Sequence, residues 1–139
     1  MKTPTIAAKD LHHLIPRIIV IIIIGQTLPF KFLGDEESIY IFSKLNMEPY
    51  GRYAIAIIET IAIFLLASKL YVVGAIISLS IISAANFLHF VKLGLVVRED
   101  GGLLFILSII VVLASAYIVF WWNQQKKAPK KFNFGTGAD

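Results

Sequence analysis

One carboxylate lies in the middle of an apolar stretch of the chain. Residues 49–69 read PYGRYAIAIIETIAIFLLASK, which is long and apolar enough to cross a bilayer, and Glu59 lies well inside it. An ionisable side chain in hydrocarbon costs about 2.5–3.5 kcal/mol on insertion scales, so it usually faces a bundle interior and has a partner. Such a group can carry a proton, anchor a ligand or accept hydrogen bonds from a basic neighbour. The candidate partners are Arg52, His89, Lys31, Gln26 and Asn86.

His89 is the second residue that could do chemistry. With Asn86 one turn before it, its imidazole could relay protons, bind a quinone carbonyl or ligate a metal. No second histidine lies four residues away, so hydrogen bonding at the membrane interface is favoured and no metal site is predicted. His12 and His13 are expected to be solvated.

Several basic residues lie near the ends of the apolar stretches: Lys31, Arg52, Lys92 and Arg98. Each could bind an anionic headgroup or substrate, or extend its charge to the interface. We expect the second behaviour for Lys31 and Arg98. Arg52 shares a helix face with Glu59, so an ion pair with that carboxylate and a role in binding are both open.

The composition identifies the class of protein. The chain is 58% hydrophobic and 16% charged, against roughly 25% charged residues in soluble domains. Its net charge of +4 comes from basic residues in the tail and near the span ends, which is typical of topology signals rather than of a nucleic-acid interface. The absence of cysteine excludes disulfides, thiolate catalysis and cysteine-ligated metals.

An all-α integral membrane protein is therefore predicted, an up-down-up-down four-helix bundle. The first apolar block is not followed by an A-x-A-like cleavage site, so it is interpreted as a retained helix rather than a signal peptide. We expect a cytoplasmic leader over residues 1–13, a transmembrane domain over 14–122 and a cytoplasmic basic tail over 123–139. The four spans are predicted at residues 14–30, 50–70, 71–91 and 103–122.

The connections carry turn and cap signals. A short interfacial helix is predicted between the first two spans, with Asp35 as its N-cap and Asn46 at its end. Pro29 is expected to kink or end the first span. Before the last span, Asp100 is a natural N-cap, and the two glycines after it, Gly101 and Gly102, allow a tight entry.

Basic residues are concentrated at one end of the predicted bundle, which by the positive-inside rule places both termini in the cytoplasm. The residues on the terminal side are Lys2, Lys9, Arg17, Lys69, Lys126, Lys127, Lys130 and Lys131.

Helical periodicity brings the polar residues together. One stripe on the second span comprises Arg52, Ala56, Glu59 and Ile63, and one on the third comprises Gly74, Ser78, Ala85, His89 and Lys92. Packed against each other, these stripes predict a polar pocket in the outer half of the membrane, open to the non-cytoplasmic side.

The segments QTLPFKF at 26–32, ESIYIFSKLNMEPYGR at 37–52, HFVKLG at 89–94 and DGGLLF at 100–105, with Glu59 between them, resemble the DoxX-like family. The resemblance covers about residues 14–122. It implies a small four-helix protein of the bacterial cytoplasmic (inner) membrane. The wider superfamily includes a thiosulfate:quinone oxidoreductase subunit, a methylamine-utilisation protein, and eukaryotic cargo receptors or assembly chaperones. Motif matching carries over Gln26, Lys31, Glu48, Arg52, Glu59, His89, Lys92 and Asp100. The residues assigned to structural loops are Glu48, Asp100, Gly101 and Gly102.

The leading functional hypothesis is an accessory or anchoring subunit of a membrane redox or envelope complex, in contact with membrane lipids and other membrane subunits. It would hold a quinone or a lipid in the outer pocket, where Glu59 and His89 handle protons or hydrogen bonds. No complete catalytic constellation and no haem or flavin ligation is predicted. A structural or chaperone-like scaffold and a small transporter are the alternatives; the transporter is disfavoured because the cytoplasmic half has no polar path.

Overall fold

The computed structural model of the chain describes residues 8–94, 96 and 101–127, with side chains from residue 11 onward. Within these residues the protein is helical and contains no strand. A π-helical turn, His89–Leu93, continues the fourth helix directly. The α-helices are α1 (Ala8–Leu33), α2 (Glu36–Lys44), α3 (Tyr50–Ala67), α4 (Tyr71–Leu88) and α5 (Leu103–Lys127).

Four of these helices are long and apolar enough to cross a membrane, so the chain is a multi-pass membrane protein with the predicted four-helix bundle. α1 and α4 each pack against both α3 and α5, which closes a ring of antiparallel neighbours. The beginning of α1 and the end of α5 meet, since the rings of His12 and Trp121 lie 5.8 Å apart. We call this the terminal end, and the end that carries α2 and the π-helical turn the α2 end.

α1 does not end at Pro29, so the expectation that this proline ends the first span was wrong. The helix is 26 residues long and continues to Leu33. A proline removes one backbone hydrogen bond, whereas ending the helix in lipid would leave several carbonyls unpaired. Continuing the helix past Pro29 therefore costs less free energy than ending it there. Gly34 ends the helix in the left-handed region (φ 73°), where the Asp35 N–H donates to the Phe30 carbonyl at 2.9 Å. The additional turn carries Lys31.

The helices also reach beyond the predicted spans at the terminal end. α1 begins at residue 8, inside the expected leader, and α5 continues through residue 127, inside the expected tail. Both extensions carry polar residues, which a helix can hold once it has left the hydrocarbon.

The predicted interfacial helix is confirmed as α2. The Asp35 carboxylate accepts a hydrogen bond from the Glu37 N–H at 3.2 Å, which is the expected N-cap. Asn46 takes a positive φ of 57° just beyond the helix. The residues that α2 buries are Ser38 and Phe42, one turn apart on the face toward the bundle.

The terminal half of the bundle is closely packed. Val20, Leu66, Ala75 and Ile118 fill its axis and are almost fully buried. α3 and α4 approach closely at Gly74, where an added Cβ would lie 2.7 Å from the Ala62 carbonyl oxygen and the Leu66 nitrogen. Small residues that let helix backbones touch are the usual contact in membrane bundles.

Arg17 fastens α1 to the turn between α3 and α4. Its Nε and Nη2 donate to the Leu66 carbonyl at 2.8 and 2.5 Å, and Nη2 also donates to the Ser68 carbonyl at 3.2 Å. The guanidinium lies 4.6 Å from the centre of the Tyr71 ring, and His13 stacks on that ring as well. Arg17 thus satisfies carbonyls that the end of α3 leaves without helical partners.

Candidate functional site

A half-enclosed cavity of about 960 Å³ occupies the α2 half of the bundle. Its walls come from all five helices, and most of the lining side chains are apolar, chiefly isoleucine and leucine. It does not continue along the bundle axis into the terminal half, where Leu66, Ala75 and Ile118 are packed together. The polar lining residues are Gln26, Thr27, Lys31, Asp35, Glu37, Ser38, Glu59, Ser80, His89 and Ser108.

Glu59 pairs with Lys31 in the wall of this cavity. Lys31 Nζ donates to both carboxylate oxygens, at 2.5 and 2.7 Å, and lies 3.3 Å from Thr27 Oγ1. The exposed fraction of the side chain is 3% for Glu59 and 18% for Lys31. The prediction that Glu59 is buried and partnered is confirmed. The expectation that Lys31 extends to the interface was wrong, because the extra turn of α1 brings it level with a buried carboxylate.

Arg52 does not pair with Glu59. Its Nε donates to both oxygens of Glu48, at 2.9 and 3.0 Å, and its Nη1 donates to the backbone carbonyl of Lys31. Arg52 and Glu59 share a helix face, but seven residues separate them by roughly 10 Å along the axis, whereas Glu48 is one turn away. Arg52 therefore binds the last turn of α1 to α3 and fixes the backbone of the residue that neutralises Glu59.

His89 is buried at the start of the π-helical turn and lines the cavity. Its Nδ1 lies 3.0 Å from the Gly94 carbonyl oxygen, and its own carbonyl accepts the Gly94 N–H at 2.7 Å. A carbonyl can only accept, so Nδ1 carries the hydrogen, and in the neutral form of the ring this tautomer has Nε2 as an acceptor. The edge of the ring also packs against Phe105. His89 is thus oriented by the turn, and Glu59, for which it was a candidate partner, pairs with Lys31 instead.

The remaining predicted partners of Glu59 lie elsewhere. Asn86 is buried and accepts a hydrogen bond from Ser108 Oγ on α5, outside the cavity wall. Gln26 lies at the rim with an exposed side chain. Lys92 is exposed and does not line the cavity, because the π-helical turn rotates it away from the stripe expected for a regular helix.

The entry to α5 has the predicted glycine turn. Gly101 and Gly102 have φ values of 63° and 84°, which only glycine adopts without strain. Asp100 and Arg98 lie outside the described residues.

Ser38 is a site residue that the sequence reading missed. The residue is 7% exposed and lines the cavity, and its hydroxyl has no hydrogen-bond partner among the described residues. The signal that could have found it is its spacing of four residues from Phe42 in an amphipathic helix, which puts a hydroxyl on the buried face.

Comparison of the chain with models of protein families, with curated proteins and with solved structures finds no match. The resemblance to the DoxX-like family therefore stays a prediction. In the described part of the chain, no three His, Asp or Glu side chains are grouped so that they could hold a metal ion.

The arrangement suits reversible binding better than covalent chemistry. The cavity offers apolar walls, one internally neutralised ion pair and further hydrogen-bonding side chains, among them the buried His89 and Ser38. Sites for small molecules commonly combine such walls with a few placed polar groups.

Proposed function

We propose that this protein binds a quinone-like or lipid-like molecule within the membrane, in the cavity at the α2 end. The observation that carries the proposal is the contrast between the two halves of the bundle. One half is packed around Val20, Leu66 and Ile118. The other encloses about 960 Å³ of mostly apolar space. Protein interiors contain few voids larger than a water molecule, so a space of this size favours an occupant.

The polar groups of the cavity support a role in holding the head of that molecule. Glu59 and His89 both line the wall and supply hydrogen-bonding groups next to it. Arg52 does not line the cavity and acts as a positioning residue, because it binds the backbone of Lys31. An apolar tail would lie along the isoleucine and leucine walls.

We further propose that the protein is a DoxX-like accessory or anchoring subunit in the bacterial inner membrane, with both termini in the cytoplasm. The excess of lysine and arginine at the terminal end supports this orientation. The cavity then opens toward the non-cytoplasmic side. A partner subunit would supply any redox cofactor.

A structural scaffold without a ligand is the second candidate. It is favoured by two contacts that fix the register of α1 against α3: the Lys31–Glu59 ion pair and the hydrogen bond from Arg52 to the Lys31 carbonyl. A transporter is not favoured, because the cavity ends at the packed terminal half.

Purification in a mild detergent, followed by mass spectrometry of the lipids, quinones and proteins that co-purify, separates these candidates. The binding protein retains a defined small molecule at about one per chain, and Glu59→Gln changes its amount or identity. The scaffold retains only bulk lipid, and Glu59→Gln then lowers stability without changing what co-purifies.

A further inference from the structure

Two side chains in the cavity wall have hydrogen-bonding capacity that the protein itself does not use. His89 donates its Nδ1–H to the Gly94 carbonyl, and Nε2, which is an acceptor in the neutral form of that tautomer, makes no hydrogen bond to the described part of the chain. The Ser38 hydroxyl is likewise without a partner there. Both residues are more than nine-tenths buried, and α2 packs against the π-helical turn, so the two groups belong to the same end of the cavity.

The positive charge of the cavity wall is already compensated. Lys31 is the one Lys or Arg among the described lining residues, and both oxygens of Glu59 neutralise it. Arg52, the other cation nearby, binds Glu48 and a backbone carbonyl. The Asp35 carboxylate also lines this end. An anionic headgroup would therefore find no uncommitted positive charge in the described wall, and its burial would be costly.

We propose that the molecule bound in the cavity is an uncharged long-chain amphiphile whose head is a hydroxyl group, as in a long-chain alcohol or a monoacylglycerol. One hydroxyl satisfies both orphaned groups: it donates its hydrogen to His89 Nε2 and accepts the hydrogen of Ser38. A head that can only accept, such as an ether or an ester, leaves Nε2 without a hydrogen-bond donor. This inference rests on the proposed function and narrows the class of its ligand.

Three probes with the same chain and different heads test the inference: oleyl alcohol, oleyl methyl ether and oleate. Their dissociation constants are measured by competition in native mass spectrometry on the delipidated full-length protein in one detergent. We expect the alcohol to bind about 3–10-fold more tightly than the ether, as one net hydrogen bond provides. We expect oleate to bind no more tightly than the ether.

Variants test whether His89 and Ser38 cause the preference for the alcohol over the ether. The ratio of ether to alcohol dissociation constants should fall to about one in His89→Phe and decrease in Ser38→Ala. It should stay at the wild-type value in Ser43→Ala, a matched control on the exposed face of the same helix. If His89→Phe does not fold, the inference is tested by Ser38→Ala and Ser43→Ala alone: the ratio should decrease in the first variant and stay unchanged in the second.

The failure of this inference is distinguishable from failure of the proposed function. If the ether binds as tightly as the alcohol, if oleate binds most tightly, or if Ser38→Ala keeps the full preference, the hydroxyl head is wrong although the cavity binds. If none of the three probes binds saturably and nothing co-purifies, the proposed function itself fails.

Discussion

The Nζ atom of Lys31 lies 2.5 and 2.7 Å from the two carboxylate oxygens of Glu59. This contact joins the last turn of α1 to the interior of α3 at the wall of the cavity. The two partners differ in burial, since the Glu59 side chain is 3% exposed and that of Lys31 is 18% exposed. Because of this difference, we expect substitution of the two partners to lower the stability of the protein by different amounts.

Removal of the lysine should cost more stability than removal of the carboxylate. Lys31→Met leaves a buried carboxylate without its cation, and we expect a loss of about 3–5 kcal/mol in the free energy of unfolding. Glu59→Gln should cost less, because the flexible lysine stem can carry its ammonium toward the interface. Reversible unfolding in mixed detergent micelles measures both.

The double variant Lys31→Met/Glu59→Gln is the control for this pair. It removes both charges and should recover a large part of the loss seen with Lys31→Met alone. If the loss in the double variant equals the sum of the two single losses, Lys31 and Glu59 do not interact directly.

The close contact between α3 and α4 predicts a difference between two glycines. Gly74→Ala places a Cβ 2.7 Å from backbone atoms of α3 and should destabilise the bundle by about 1–3 kcal/mol. Gly25→Ala is the matched control, because its Cβ would meet only Ile63 Cδ1 at an ordinary 3.8 Å. That change should be neutral or stabilise by about 0.5–1 kcal/mol, as alanine does in a helix. Thermal unfolding of the two variants side by side checks this, and equal losses would show that α3 and α4 are further apart.

The turn that orients His89 predicts a conformational cost at Gly94. Its φ of 86° and ψ of 167° lie in a region that is essentially restricted to glycine. An alanine Cβ would have room, with its nearest neighbour at 3.8 Å, so the cost of Gly94→Ala is backbone strain of about 1–3 kcal/mol. We expect lower unfolding stability and a weaker alcohol preference in the probe assay. A variant as stable as the wild type would mean that the turn has another shape.

The contact of Arg17 with the end of α3 predicts that two substitutions of Arg17 lower the free energy of unfolding by different amounts. Arg17→Met leaves the Leu66 and Ser68 carbonyls without their donor and should cost about 1–3 kcal/mol. Arg17→Lys keeps the charge at the C-terminal end of α3 but loses the two-armed geometry, so its loss should be intermediate. Denaturant unfolding ranks the three proteins, and a lysine variant as unstable as the methionine variant would contradict this assignment.

Much of the fold could be predicted because lipid leaves the backbone few choices. The four spans and the surface helix with its Asp35 cap follow from local sequence and from the need to satisfy backbone hydrogen bonds. The burial of Glu59 could be predicted for the same reason, since a carboxylate in hydrocarbon needs a partner.

The identity of that partner could not be predicted, because it depends on one extra helical turn. If α1 ended at Pro29, Lys31 would lie in a loop; since α1 continues, Lys31 faces Glu59. Arg17 was likewise read only as a topology signal, because its acceptors lie about fifty residues away along the chain. The cavity itself depends on how side chains fill the bundle, which periodicity along single helices does not determine.

The most direct test of the proposed binding function fills the cavity and counts the molecules that remain bound. Ala85 lines the cavity, whereas Ala54 is exposed on the outer face of α3. Native mass spectrometry of the protein extracted in mild detergent should find one retained amphiphile in the wild type and in Ala54→Phe, and none in Ala85→Phe. A folded Ala85→Phe variant that retains the same molecule at the same occupancy would contradict the proposal that this cavity is the binding site.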